Sequence, residues 1–600
     1  MKPDPSAPAQ SSASATLPFN RCSRLSREVT STTAAVIALV AAIGLRLAIL
    51  FRYRIDSDET QHLHVVWGWS RGLLPYRDMF DNHMPLFHLL AVPLLRLAGE
   101  RPEALILGRL AMLPLFALIT LLTYRIGVSC NSHRAALIGT LIGISAPPFF
   151  LCSVEFRPDV LWTTFWLTTI AFLVDVPLTT GRAAAAGLAL GIAASVSAKT
   201  VLFGASIGIA AIATLVITRD GSVAPRGLWK RATTFAGMTL LPPSLIAAYF
   251  AAQGAWKPFV YCTITHNLVS SEHPQRILLL APLLVLIVLA TRRINREDLS
   301  AGVRKRRLFL FLAASSYGAV MLSLWPIIER EHWLPFYALA GVAAAPLLWP
   351  SGGGWPRSAI AILALEFFWI IGASTPWRDE VIPSTTLIEQ AMKLTTPGET
   401  ILDLKGEIVF RPRAFYYELE KITKKAIAKG RLQDTIAADV IRTRTMVAVE
   451  DNRSFPRRSR SFLLRNFVSV GCLRVAGMIV PPSHTFRIEL PGDYSVVSAS
   501  GGFQGTLDGM PYQGPRRLTN GTHILGPASA SDQTAVLWQR AASLGFSPFT
   551  EEHRCREGKD LTGRRPARSV GPRAGAEEPH AVPPRMVDRF FPGVAALDTE

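Results

Sequence analysis

The chain has 600 residues, of which 49% are hydrophobic and 18% charged, and its mean hydropathy is +0.28. That balance excludes a wholly soluble protein and implies a multi-pass membrane region with a soluble remainder. The net charge of +19 invites a nucleic-acid reading, but much of the excess sits in short loops between apolar runs, where it sets orientation, so no nucleic acid is expected as a partner.

In chain order, residues 1–32 are rich in Ser, Pro and Ala, carry Lys2, Arg21, Arg24 and Arg27, and lack a cleavable signal pattern; they read as a cytoplasmic tail. A transmembrane region over 33–375 follows. Its apolar runs lie at about 33–51, 104–124, 135–152, 159–175, 183–198, 201–218, 232–252, 277–291, 308–325, 336–350 and 358–373, which predicts about eleven helices. With the N-terminus inside, the loops holding Arg226, Lys230, Arg231, Arg292, Arg293 and Arg304 to Arg307 all fall on the cytoplasmic side, as inside loops should. The split of 183–218 into two short helices is the step on which this parity depends.

The remaining loops then share the opposite face, and they are the ones rich in acids and histidines. They comprise the first outer loop (52–103), EFRPD with Glu155, Arg157 and Asp159, the Lys199-Thr200 hairpin, HNLVSSEHPQR beginning at His266, and EREHWLP with Arg330 and His332. Ionisable groups beside lipid are costly unless they face one another or a cavity, so their collection on one face predicts a site. In the first loop, Asp56, Asp58 and Glu59 precede an amphipathic helix from about Thr60 to Arg71, then a turn at Gly72 and Pro75, then Asp81 and His83. Its Trp67, Trp69, Tyr76 and Phe80 suit the water–lipid boundary, which pictures the loop lying on the membrane. An isolated acid pair at a helix end is usually just solvated, but here the companions on the same face supply what is needed to deprotonate a hydroxyl and neutralise a departing phosphate.

Beyond the last span, residues 376–480 alternate strand-like runs (ETILDL, TMVAVED) with helical ones (AFYYELEKITKKAIAKG), an α/β unit. Residues 481–550 read as short strands and Gly turns, a small β-sandwich, and 551–600 as a disordered tail. Parity puts both folded units outside. The six cysteines (22, 130, 152, 262, 472 and 555) form no CxxC or Cys/His cluster, so neither a zinc site nor a disulfide framework is indicated, and a Cys472–Cys555 bridge is left open.

The first-loop pair Asp58-Glu59 followed by Gly72, Leu74, Pro75, Tyr76, Arg77, Asp78, Asp81, Pro85 and Leu86 resembles the motif of the polyprenyl-phosphate-dependent GT-C glycosyltransferases. This superfamily includes the protein O-mannosyltransferases and the lipid A aminoarabinose transferases. The RPD at Arg157 to Asp159, Lys199-Thr200 and the His-x-x-Pro at His332 to Pro335 are similar too, and the likeness covers about 33–375. Relatives often carry Lys-Pro-Pro where this chain has His83-Met84-Pro85, so a phosphate contact there would need a protonated His83.

The resemblance implies inverting transfer of a sugar from a polyprenyl-phosphate donor to a lipid, glycan or protein acceptor. Asp58 would be the general base, with Glu59 beside it, and desolvation would push the Asp58 pKa upward. Asp81, His83, Arg157, Asp159, Lys199, His266, Arg330 and His332 would bind substrate or its phosphate. No cofactor is required; Asp56-Ser57-Asp58 forms a D-x-D that can hold a divalent metal ion. A multi-pass protein of a bacterial inner membrane is implied, in contact with membrane lipids. Two rivals are a secondary transporter, which would set its charges at the bilayer midplane within repeated halves, and a glycan polymerase or ligase using a diphosphate-linked donor.

Overall fold

The computed structural model describes residues 37–550 apart from 176, 219–224, 269–273, 349–356, 451–452, 481–483 and 527–532. The tails expected over 1–32 and 551–600 lie outside the described residues.

The membrane region is a helical bundle. Helix α1 covers 37–52, and the first outer loop holds α2 (Ser57–Ser70) and the 13-residue α3 (Leu86–Ala98). Then come α4 (Ala104–Val128), α5 (His133–Ser145), α6 (Pro147–Cys152), α7 (Pro158–Val174), α8 (Thr180–Val196), α9 (Thr200–Thr218) and α10 (Pro225–Ala252). The short α11 (Trp256–Val260) leads to α12 (Leu280–Arg296), α13 (Ala301–Leu324), α14 (Leu334–Leu348) and α15 (Arg357–Ser374). Within the described residues each expected span overlaps one or two of these helices. Among the described residues six helices are long and apolar enough to cross a membrane by themselves, α4 being the first; its 25 residues extend about 37 Å, beyond the roughly 30 Å of a hydrocarbon core. The expected span 135–152 is broken between α5 and α6 at Ala146, where Pro147 and Pro148 start a new helix.

Residues 183–218 do form two helices, α8 and α9, parted by an extended Ser197. Small residues let the helices close on each other: a Cβ on Gly191 of α8 would stand 2.5 Å from the Thr239 carbonyl of α10, and one on Gly139 of α5 2.6 Å from the Gly341 carbonyl of α14. Facing away from the bundle, Leu240, Leu241 and Leu245 of α10 and Leu284, Val285 and Leu286 of α12 are exposed. An apolar surface of that extent belongs against lipid.

The C-terminal region begins with α16 (Ile382–Leu394) and carries two antiparallel sheets. The larger contains β1 (Val447–Val449), β2 (Phe467–Val470), β3 (Leu473–Ile479), β5 (Gly492–Ser498), β8 (Arg516–Leu518) and β10 (Thr534–Trp538). The smaller runs β4 (Thr485–Ile488), β9 (Gly521–Gly526), β6 (Thr506–Leu507), β7 (Met510–Pro511). Met478 of β3 pairs with Val536 of β10, which pairs with Val496 of β5, so one sheet draws strands from both 376–480 and 481–550. Leu473, Phe486, Leu525 and Val536 join one hydrophobic cluster across the two sheets. Cys472 is disulfide-bonded, whereas Cys130, Cys152 and Cys262 are free and buried; Cys555 lies outside the described residues.

Three local expectations need correction. ETILDL makes only isolated bridges, Ile401 to Arg413 and Leu402 to Ala448. The helix expected over AFYYELEKITKKAIAKG is confined to Lys421–Ala428 (α17), because Tyr416 and Tyr417 leave the helical path to pack on Phe80. Trp67, Tyr76 and Phe80 are buried rather than set at a lipid boundary. Tyr76 stacks edge-on against Phe250 and Phe259, its carbonyl accepts the Tyr416 hydroxyl, and the C-terminal region thereby roofs the loop.

Candidate active site

The site starts at the turn before α2. The Asp56 carboxylate accepts from the Asp58 N–H at 3.1 Å, and Glu59 reaches back to accept from the Asp56 N–H at 2.9 Å, a reciprocal cap that starts the helix. This cap sends the two neighbouring acids to different places. Glu59 is fully buried in the bundle, where Arg109 of α4 donates to it through Nε at 2.8 Å and Nη2 at 2.6 Å and the Phe156 N–H adds a third bond at 3.0 Å. Arg109 spends its remaining N–H groups on the carbonyls of Leu50, Tyr53 and Arg54 at the end of α1. Glu59 is therefore an anchor tying α1, α2 and α4 together, which corrects its expected place beside the base.

Asp58 turns the other way, into a cavity of about 560 Å³. Asp58 and His83 line it from the first loop, Arg157 and Asp159 from the start of α7, Lys199 from the α8–α9 turn, and Arg330 and His332 from the 3₁₀ turn before α14. Five loops well separated in sequence thus reach one chamber, the fifth being the one that carries Asn267.

Arg157 is the hub. Its guanidinium lies 2.6 Å from Asp58, 3.0 Å from Glu155, 3.1 Å from Glu331, 3.5 Å from Asp159 and 3.9 Å from Asp56. Arg330 donates to Glu155 at 2.9 Å, and Lys199 to Asp159 at 2.6 Å while lying over the Trp162 ring. Lys199 is thus held within the site rather than drawn toward lipid headgroups. The second oxygen of Asp58 meets Nζ of Lys405, which comes from the C-terminal region. Burial by itself would raise the Asp58 carboxyl, but Lys405 and Arg157 outweigh it and hold the pKa well below the usual carboxylate range, against the upward shift expected from desolvation. Burial does prevail at Glu155, pushed up to about 7 against the pull of Arg330.

Asp81 and His266 are not among the residues lining the cavity. Asp81 is fully buried and orients His83, accepting its backbone N–H at 3.0 Å and contacting Nδ1 at 2.9 Å. Burial disfavours the His83 cation, but this carboxylate more than compensates and raises its pKa. His266 meets Glu420 at 3.0 Å and packs on Phe80, bracing the roof. His332 stands 4.0 Å from Glu331, and burial together with Lys199 keeps it neutral by lowering its pKa well below the ordinary value.

Asp56 and Asp58 do not fit the expected metal-holding D-x-D. Asp56 is engaged by the helix cap and by Arg54 at 3.0 Å, and Asp58 by two cations; among the described residues no group of three or more His, Cys, Asp or Glu is placed to hold a metal ion. Sequence reasoning missed Lys405 and Glu331, neither of which stands in a distinctive pattern, and Arg109, whose signal was a lone arginine inside an apolar run.

No family model matches the chain, and neither does any curated protein sequence. Among solved structures, ArnT from Cupriavidus metallidurans bound to undecaprenyl phosphate superposes with a TM-score of 0.50 at 13% identity, over 74% of this chain and 98% of that one. The same protein in the apo state gives 0.49 at 13% identity with the same coverage. The archaeal oligosaccharyltransferase AglB from Archaeoglobus fulgidus, in complex with an inhibitory peptide and a dolichol-phosphate, gives 0.41 at 11% identity, over 81% of this chain and 74% of that one. The chain shares the fold of the ArnT structure, a bundle of apolar helices carrying a C-terminal sheet region.

Proposed function

We propose that the protein is a membrane glycosyltransferase that moves a sugar from a polyprenyl-phosphate-linked donor to an acceptor hydroxyl on the extracytoplasmic face, with inversion and with Asp58 as general base. The observation that carries this reading is the single chamber in which the Asp58 carboxylate meets Arg157 and Lys405 while Lys199 and Arg330 line the same cavity. Deprotonating a hydroxyl and stabilising a departing phosphate require that combination. The bound undecaprenyl phosphate of the ArnT structure supports the donor class. The acceptor is a lipid, glycan or protein hydroxyl.

In this reaction the acceptor oxygen attacks the anomeric carbon from the side opposite the phosphate, its proton passes to Asp58, and the carbon–oxygen bond to phosphate breaks with its electron pair on the phosphate. Lys199 and Arg330, which line the same cavity as Asp58, meet the developing charge, together with His83 when protonated. Asp58 is a weak base because its neighbours are cationic, so it acts by remaining ionised and well oriented rather than by a raised pKa. Residues 33–375 form the transferase domain on this reading, with 376–550 outside a bacterial inner membrane.

The test is turnover by the purified protein with a panel of polyprenyl-phosphate sugars, with the anomeric configuration of the product read by NMR. Product of inverted configuration supports the proposal; retained configuration, or no turnover with any monophosphate donor while a diphosphate-linked donor is used, overturns it.

A further inference from the structure

The C-terminal region does more than roof the chamber. Its turn from Leu404 to Val409 is pressed onto α2: Gly406 adopts φ +106°, and a Cβ there would stand 2.8 Å from the Cβ of His64. The turn is also stiff. Glu407 accepts the N–H groups of Leu404 and Lys405 at 3.0 and 2.9 Å, Arg413 donates to the Leu404 carbonyl at 2.7 Å, and the His64 ring meets the Val409 carbonyl at 2.7 Å. These contacts carry the Lys405 side chain into the cavity, where its ammonium meets Asp58.

The two cations on Asp58 differ in what else holds them. Arg157 is tied to Glu155, Asp159 and Glu331 as well, whereas among the described residues the ion pair of Lys405 is with Asp58. An ammonium is moreover a point charge on a flexible stem, free to turn to a new oxygen without the planar alignment that a guanidinium demands. Lys405, unlike Arg157, can change partner without breaking a network of several ion pairs.

We propose that Lys405 is the exchangeable counter-ion of the reaction: it pairs with Asp58 in the resting site, passes to the phosphate when the donor enters, and so releases Asp58 to face the acceptor hydroxyl. The proposal rests on the sugar-transfer reading above and makes Lys405 both a phosphate ligand and a positioning residue for the base. As the carbon–oxygen bond to phosphate breaks, the electron pair stays on the phosphate oxygen beside the Lys405 ammonium, and the hydroxyl proton goes to the vacated carboxylate.

If Lys405 is shared, Asp58 competes with phosphate for it, and a binding cycle detects the competition. Undecaprenyl phosphate is titrated onto the full-length protein in lipid nanodiscs, for wild type, Lys405→Ala, Lys405→Arg, Asp58→Asn and the double variant Lys405→Ala/Asp58→Asn. Loss of one charged contact should weaken binding about 10- to 100-fold in Lys405→Ala. Lys405→Arg should keep most of the affinity, and Asp58→Asn should bind more tightly than wild type, with that gain absent from the Lys405→Ala background. Equal tightening by Asp58→Asn in both backgrounds, or none in either, overturns the proposal while leaving the sugar-transfer reading intact. Failure of the wild-type protein to bind undecaprenyl phosphate overturns both. Should Lys405→Ala not fold, Lys405→Gln takes its place in the same cycle with the same expected outcomes.

Discussion

Replacing Glu59 by Gln should damage the fold before it touches the chemistry. Glu59 and Arg109 are fully buried and joined by two hydrogen bonds, and the carboxylate also accepts the backbone N–H groups of Asp56 and Phe156. A glutamine keeps one acceptor oxygen and turns an NH₂ toward donors, so it forfeits one arm of Arg109 and one backbone bond and strands a buried guanidinium. At about 1.5–3 kcal/mol per charge-assisted bond, the loss is about 3–5 kcal/mol, the range found when one partner of a buried pair is removed. The assay is denaturant unfolding in mixed micelles, following tryptophan fluorescence, with Asp58→Asn as the comparison. Asp58 is partly exposed, with 27% of its side chain accessible, and Arg157 keeps Glu155, Asp159 and Glu331 when Asp58 is replaced, so Asp58→Asn should shift the midpoint less than Glu59→Gln does. Glu59→Gln as stable as wild type would refute the assignment of Glu59 as an anchor and return it to the reacting groups. Replacing Glu59 and Arg109 together by Leu and Met should recover part of the lost stability, because no buried charge is then left unpaired.

Further outcomes are expected. Gly406→Ala should lift the Lys405 turn off α2, since a left-handed backbone costs a non-glycine residue about 1–2 kcal/mol and the methyl group meets His64; trypsin accessibility of Lys405 should rise and donor turnover fall. His83 has a folded-state pKa raised above its ordinary 6.5, so its charge and the stability gained from Asp81 are fully present below about pH 6.5 and are lost as pH rises through the raised value. Undecaprenyl phosphate binding should therefore weaken over that window more in wild type than in His83→Gln; identical pH profiles would remove His83 from the phosphate site. Lys199→Met should lower kcat and kcat/KM for donor, because it removes a contact to a phosphate whose charge grows in the transition state while leaving Asp58 in place; unchanged kcat and kcat/KM would contradict that role.

The helices were legible because their signal is local and additive: apolar runs of sufficient length give helices. The gathering of Asp58, Arg157, Lys199, Arg330 and His332 into one chamber followed from counting helices, and needed the α8–α9 break at Ser197 to fall where it does. What one sequence could not show was how neighbouring acids divide. Asp58 and Glu59 look alike in the chain, and only the Asp56 cap and the distant Arg109 decide that one faces the cavity and the other the core. The aromatic residues were misread for a related reason: Tyr76 and Phe80 would suit a membrane surface, but Tyr416 and Tyr417, some 340 positions later, cover them. Lys405 lay beyond reach altogether, since a Lys-Gly turn in a soluble segment carries no mark of the chamber it enters.

The most direct measurement is single-turnover transfer from a radiolabelled polyprenyl-phosphate sugar by wild type and by Asp58→Asn, with folding of both verified by size-exclusion profile and unfolding midpoint. The expected result is undecaprenyl phosphate binding by both proteins, and product from wild type with a loss of at least about 100-fold in the variant, the contribution of a positioned general base. Transfer by Asp58→Asn at the wild-type rate would contradict the assignment of the base and, with it, the chemistry drawn from this chamber.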